Sequence, residues 1–253
     1  MKKTLYTTIL QPAIFLFVFA GLLTSCTHYH YAPTTNNVPL LKEKGKGKIS
    51  GHYYGTDEAN GFEFQGAVTT GKNIGVMVNF LTAAGKKEDD EKVKGNGTYV
   101  EAGLGYYKPF ADSSWIFETY AGIGTGAANN RFSSGATSDV GVTKYFIQPS
   151  IGFAEKGIEI GFAPKLSYVN LRVKKNTLNA AADGQDYEDL LFIEENPSAF
   201  IFEPGFIVRG GFKNLLFTLG ITSSINLQHN WKQEKGSISL GICLPINFKP
   251  LPR

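Results

Sequence analysis

Residues Gly97 to Ala127 read GTYVEAGLGYYKPFADSSWIFETYAGIGTGA, and the alternation of their side chains sets the fold. Val100, Ala102, Leu104 and Tyr106 share one face of a first strand, and Phe117, Thr119, Ala121 and Ile123 share that face of a second. The opposite faces carry Glu101, Gly103, Gly105, Glu118, Gly122 and Gly124. A period of two is the mark of a β-strand whose faces meet different surroundings. Pro109 to Ser114 between the strands is short enough for a tight turn. One greasy face and one polar or glycine face fits a half-buried soluble sheet, and it fits the wall of a membrane barrel equally well.

The rest of the chain separates these two. The same alternation predicts ten strands, at 48–54, 61–69, 74–82, 98–108, 114–126, 141–154, 158–173, 198–210, 215–225 and 236–248. Even-numbered strands are followed by tight turns, TGKN, PFADS, EKG and GFKN, and odd-numbered strands by longer polar loops, GTDEAN, AAGKKEDDEKVKGN, AANNRFSSGATSDV, KKNTLNAAADGQDYEDLLFIEENP and NLQHNWKQEK. Short turns at one rim and long loops at the other belong to outer-membrane barrels, whose turns are periplasmic. The expected fold is therefore all-β: a closed, antiparallel, up-and-down transmembrane β-barrel of about ten strands with a filled lumen. One such domain accounts for 253 residues, and 29 glycines with 19% charged residues suit many strands joined by turns.

The apolar faces continue through Tyr145, Ile147, Ile151 and Phe153, then Ile160, Phe162, Leu166 and Tyr168, with no charge among them. Tyr106, Trp115, Tyr145, Tyr168 and Phe248 stand where interfacial aromatic girdles belong. Pro149, Pro164 and Pro204 conflict with a closed wall, because each removes a ladder donor. On the inward parity lie Glu101, Glu118, Glu159, Lys165, Glu203 and Arg209, a lumenal charge network. Antiparallel partners have a constant index sum, so one register of the seventh and eighth strands sets Glu159 against Arg209 and Lys165 against Glu203.

Lys2 and Lys3 precede the apolar run AIFLFVFAGL, the charged region and short hydrophobic region of a secretory signal. Leu23-Thr24-Ser25-Cys26 follows and resembles the bacterial lipobox, which implies fatty acylation of Cys26 after cleavage. A disulfide from Cys26 to Cys243 is the alternative use of that thiol. Residues 1–25 thus read as signal peptide and 47–253 as barrel. Residues 26–46, rich in Thr, Asn, Pro and Lys without a period, read as a flexible periplasmic tether. With turns in the periplasm, both termini are expected there, and the lipid in the inner leaflet of the outer membrane.

The stretch YAPTTNNVPLLKEKG, followed by GFEFQGAVTTGKNIGVMVN, is similar to the opening of a family of Bacteroidetes outer-membrane lipoproteins of unknown role. The likeness spans the first third of the chain. It implies outer-membrane lipid as surroundings, together with the barrel-assembly and lipoprotein-sorting machineries, and no particular activity.

No signature of a cofactor or nucleotide site is present, since Gly103-Leu104-Gly105 and Gly122-Ile123-Gly124 sit inside strands. A net charge of +3 without a basic stripe excludes nucleic acid as the expected partner. His28 and His30 lack carboxylate or cysteine partners for a metal, and KKEDDEK lacks the spacing of a calcium loop. An enzyme at the extracellular rim, on the pattern of the omptin proteases, would have to draw on His229, Asp89, Asp90, Asp183 and Asp186, which match no motif. A soluble lipocalin-like carrier is the other alternative, and it requires Glu101, Glu118 and Glu203 to face water. The expected role is structural, interactive or small-ligand binding, with no catalytic residue, cofactor or surface-loop partner readable.

Overall fold

The computed structural model describes residues 29–85 and 94–248. Ten long strands follow in the predicted order: β1 (Lys46–Gly55), β2 (Ala59–Gly71), β3 (Ile74–Gly85), β4 (Lys94–Phe110), β5 (Trp115–Arg131), β6 (Thr137–Glu155), β7 (Ile158–Asn176), β8 (Ser198–Phe212), β9 (Leu215–Ser223) and β10 (Gly236–Asn247). After Ser224 the ninth strand resumes for Ile225–Asn226 in unchanged register against β8. Each strand pairs antiparallel with the next, and β1 pairs with β10 from Lys46 opposite Asn247 to Gly55 opposite Ile238. The sheet closes on itself and leaves no edge to template further pairing.

The two faces divide as the alternation demands. Leu104, Phe217 and Leu240 on the outside are 62%, 59% and 58% exposed, whereas Glu101, Glu118 and Glu203 inside are 1%, 0% and 0% exposed. A lipocalin-like carrier needs the reverse arrangement, so this chain is not built as one. Tyr106, Trp115, Tyr145, Tyr168 and Phe248 are all exposed on the outer wall. Neighbouring rings meet there, Trp115 edge-on to Phe153 at 5.7 Å and Tyr53 edge-on to Phe62 at 5.9 Å.

Strands β4 to β7 run several residues farther toward the long loops than predicted. Their upper ends carry Asn96, Asn129, Asn130, Ser138 and Asp139, whose polarity hides the alternation although the ladder continues through them. The β5–β6 connection thereby shrinks to residues 132–136. The sorting by length persists with one exception: turns fall at 72–73, 111–114, 156–157 and 213–214, and the connections at the opposite rim are longer except for the three-residue β1–β2 connection at 56–58.

The longest loop holds a helix that the sequence pattern does not predict, α1 (Ala180–Glu195). The side chain of Asn179 caps it by accepting from the Ala181 N–H at 2.9 Å. Gly184, at φ 43° and ψ −111°, breaks the helical geometry inside it, so no single apolar period runs through the segment. Leu190 and Ile193 of α1 pack with Trp231, Phe132 and Leu178 over the barrel mouth.

The three prolines form one row. Pro164 faces Pro204 across β7–β8, and the pairing of β6 with β7 is interrupted between Ile147↔Leu166 and Ile151↔Phe162, where Pro149 and Pro164 lie. Concentrating the lost donors in one row leaves the ladders above and below it intact.

The largest departure from expectation precedes β1. Residues 30–41 are not a solvated tether: all but Ala32 are buried, and the segment climbs the lumen from the turn rim to the long-loop rim. Near the turns, the Lys42 Nζ donates to the Ala154 carbonyl at 2.5 Å. At the other end, the Asn130 side chain donates to the Tyr29 carbonyl at 3.3 Å, and the His30 N–H reaches the Lys232 carbonyl at 3.5 Å. The described N-terminal end, Tyr29, therefore lies at the rim opposite the end of β10, while the termini themselves, expected on one side, lie outside the described residues.

A closed barrel with a lipid-facing belt resists unfolding by detergent until it is heated. Unboiled protein in dodecyl sulfate should migrate apart from boiled protein, and identical mobility would contradict the closed wall.

Candidate functional site

The lumen and the segment inside it form the site. An irregular chain buried in a barrel has no ladder of its own, so its backbone groups need side-chain partners from the wall. The wall provides them one by one. Glu118 accepts from the N–H groups of Leu40 at 2.9 Å and Leu41 at 2.7 Å. Gln148 donates to the Asn37 carbonyl at 2.6 Å, Gln65 to the Thr35 carbonyl at 3.0 Å, Tyr54 to the Pro33 carbonyl at 2.7 Å and Arg209 to the Val38 carbonyl at 2.9 Å.

The segment also gives donors to the wall. Asn36 donates through its amide to the carbonyls of Ala163 at 2.9 Å and Glu203 at 2.8 Å, the residues directly before Pro164 and Pro204. It thus serves the wall where the proline row weakens it. Asn37 donates to Asn79 at 2.7 Å, and Asn79 in turn to Glu101 at 2.6 Å. Tyr31 donates to Glu203 at 2.5 Å.

Wall glycines make the room. A Cβ on Gly205 would lie 2.5 Å from the Asn36 amide nitrogen, and one on Gly152 2.5 Å from Leu40 Cδ2. Val38 and Leu40 fill the turn end of the lumen with Ile116, Ala154, Ala163 and Ile207. Leu41 packs among Met77, Tyr107, Tyr120 and Phe146.

The inward charges fall into two groups. In the first, Lys144 bridges Glu101 at 3.3 Å and Glu203 at 3.4 Å, while Lys165 pairs with Glu101 at 3.2 Å. In the second, Glu159 binds Arg209 at 2.9 Å and Lys48 at 2.5 Å. The predicted register holds, with Glu159 opposite Arg209 and Lys165 opposite Glu203. Only the first of those pairs is a salt bridge. Lys165 reaches across the lumen to Glu101 instead, and Glu203 turns to Lys144, Ser167 and Tyr31. Register fixes neighbouring backbones, whereas long side chains in a lumen choose among all strands that face it. Glu118 joins neither group and serves the threaded backbone.

Lys144, Lys48 and Tyr31 are members that the sequence reading omits. The parity of Lys144, opposite that of lipid-facing Tyr145, is the signal that finds it. Cys26, Asp89 and Asp90 lie outside the described residues. Cys243 is buried with a free thiol.

The long-loop rim clasps the top of the segment. The Glu234 N–H donates to the Tyr31 carbonyl at 2.9 Å, and the Glu234 carboxylate accepts from the Glu58 N–H at 3.0 Å and from the Thr56 hydroxyl. Burial between these loops raises the Glu234 carboxyl above its ordinary range. Beside the clasp a recess of about 140 Å³ opens between Tyr29, Tyr31, Glu58, Leu81, Tyr99 and Asn130. Among the described residues, the candidate rim catalysts each meet other partners. The His229 ring stacks on Trp231 at 6.2 Å, Asp186 pairs with Lys232 at 3.7 Å, and Asp183 accepts from Ser134. Among the described residues, no group of three or more His, Cys, Asp or Glu side chains is placed to hold a metal.

No family model matches the chain, and no curated protein sequence does. Among solved structures it is similar to the translocator domain of autotransporter NalP from Neisseria meningitidis, at 9% identity over 97% of each chain with a TM-score of 0.50. Neisserial surface protein A covers 80% of this chain and 95% of its own at 10% identity, with a TM-score of 0.35. The attachment invasion locus protein Ail of Yersinia pestis covers 81% and 100% at 11% identity, with a TM-score of 0.30. At these identities the first likeness speaks for the fold alone, that of an outer-membrane β-barrel.

Glu101 is the carboxylate on which both lumenal lysines of its group converge. Glu101→Gln should lower stability by roughly 3 to 5 kcal/mol, the usual cost of stranding a buried charge. Adding Lys165→Met should return a large part of that. Urea unfolding followed by the fluorescence of the two tryptophans checks both variants, and a double variant no more stable than the single would contradict the pairing.

Proposed function

We propose that this chain is an outer-membrane lipoprotein whose barrel is sealed by its own N-terminal segment, and that it acts as a structural or interaction module through its long-loop face. The observation that carries this reading is the committed lumen. Tyr54, Gln65, Glu118, Gln148 and Arg209 of the wall are each engaged with the backbone of residues 33–41, so the segment occupies the space that a solute would need. Ten strands enclose little more than the eight whose side chains fill the interior, and a chain threaded through the centre occupies what remains. The exposed apolar belt supports residence in a bilayer, and the lipobox supports acylation of Cys26. The long-loop face, capped by α1 and by the loop around Trp231, is the surface left for a small ligand or a partner.

Planar-bilayer recordings on the intact protein should show no stable ohmic conductance. A reproducible pore of porin size would overturn the sealed-barrel reading. Labelling with a fatty-acid analogue should be lost in Cys26→Ser while the heat-dependent gel shift remains, because the strand faces hold the barrel in the bilayer without the lipid. Label that persists on Cys26→Ser would overturn the acylation.

A further inference from the structure

The path of the lumenal segment decides where the chain before it must be. β1 starts at the turn rim, where the Phe248 N–H donates to the Gly45 carbonyl at 2.7 Å. From there, followed backwards, the chain passes Leu40 beside Gly152, Val38 beside Gly161 and Asn36 beside Gly205. It then passes Pro33, held by Tyr54, and ends at Tyr29 beside Asn130, next to the last residue of β5. Cys26 is three residues before Tyr29, and three extended residues span at most about 11 Å. That reach cannot return it to the turn rim, since β5 alone has 17 residues at about 3.3 Å each.

The wall is uneven where the segment emerges. β5 runs to Arg131, eight residues past lipid-facing Ile123, but β1 stops at Gly55, two residues past lipid-facing Tyr53. Glu58 and Ala59, at the low side, line the same recess as Tyr29. A short chain leaving the lumen there has only the three-residue β1–β2 connection between itself and the lipid-facing surface.

We propose that the chain before Tyr29 emerges on the long-loop face of the membrane, and that the acyl chains of Cys26 enter the leaflet on that face, over the low wall at the β1–β2 connection. The acyl part rests on the lipoprotein reading above, whereas the emergence rests on the threading alone. The lipid anchor and the C-terminal end of the barrel then lie on opposite sides of the bilayer. The N-terminal segment is held at both ends, by the start of β1 below and by the anchor above.

Single cysteines read out each side with a membrane-impermeant maleimide on intact cells expressing the full chain. Buried Cys243 should contribute no signal, so the parent chain should stay unlabelled when Cys26 is acylated. Ser133→Cys, exposed in the β5–β6 loop, marks the long-loop face, and Lys156→Cys, exposed in the β6–β7 turn, marks the other. His28→Cys should label in intact cells to the extent of Ser133→Cys, while Lys156→Cys should label only after the outer membrane is permeabilised. If His28→Cys instead follows Lys156→Cys, the emergence is overturned. Should Ser133→Cys and Lys156→Cys exchange behaviour with His28→Cys still following Ser133→Cys, the orientation of the barrel falls and the threading stands. Strong labelling of the parent at Cys26 would remove the acyl part only.

Discussion

The inward face of the barrel carries more polar and charged groups than its own strands can pair, and this imbalance is the constraint on which the architecture depends. Glu118 has no cation within ion-pair distance among the described residues and satisfies both oxygens with the N–H groups of Leu40 and Leu41. Gln65, Gln148, Tyr54 and Arg209 each reach a carbonyl of the same segment. A buried polar group without a partner costs about 1 to 3 kcal/mol, more if charged. Removing the segment would orphan many at once, so wall and segment are one folding unit although only the wall is a sheet.

This dependence orders the rest. Because the segment runs directly into β1, the strands must close around it, with β10 meeting β1 last in sequence. The proline row is tolerated because Asn36 bridges the carbonyls beside it. The mouth is covered in the same manner, by α1, Trp231 and Tyr31 packed in one apolar cluster. The Trp231 indole is fixed to the Asn196 carbonyl at 2.9 Å.

Much of the wall is legible in the sequence because lipid and lumen impose opposite chemistry on alternate residues. The hairpin 97–127, the ten strands, the sorting of loop lengths and the 159/209 register all follow from that alternation. The segment 30–41 is not legible in this way. Its partners are scattered over every part of the wall, so no period is imposed on it, and Thr, Asn and Pro in an aperiodic run read as linker. Two signals nonetheless point inward: the surplus of lumenal polar groups, and glycines such as Gly152, Gly161 and Gly205 at inward positions, where the missing side chains leave a channel for another chain. The helix is hidden for a local reason, the break at Gly184. The partner of Lys165 is hidden because a long side chain in a lumen is not bound to its register neighbour.

The central claim, that the N-terminal segment is threaded through the barrel, is tested most directly by a cross-link across that contact. A Cβ built on Gly161 lies 3.5 Å from Val38 Cβ, within the range of a disulfide. In Val38→Cys/Gly161→Cys, mild oxidation in native membranes should join the two residues completely and protect both thiols from maleimide, with each single variant remaining reduced. Two freely reactive thiols and no cross-link in the double variant would place the segment outside the lumen.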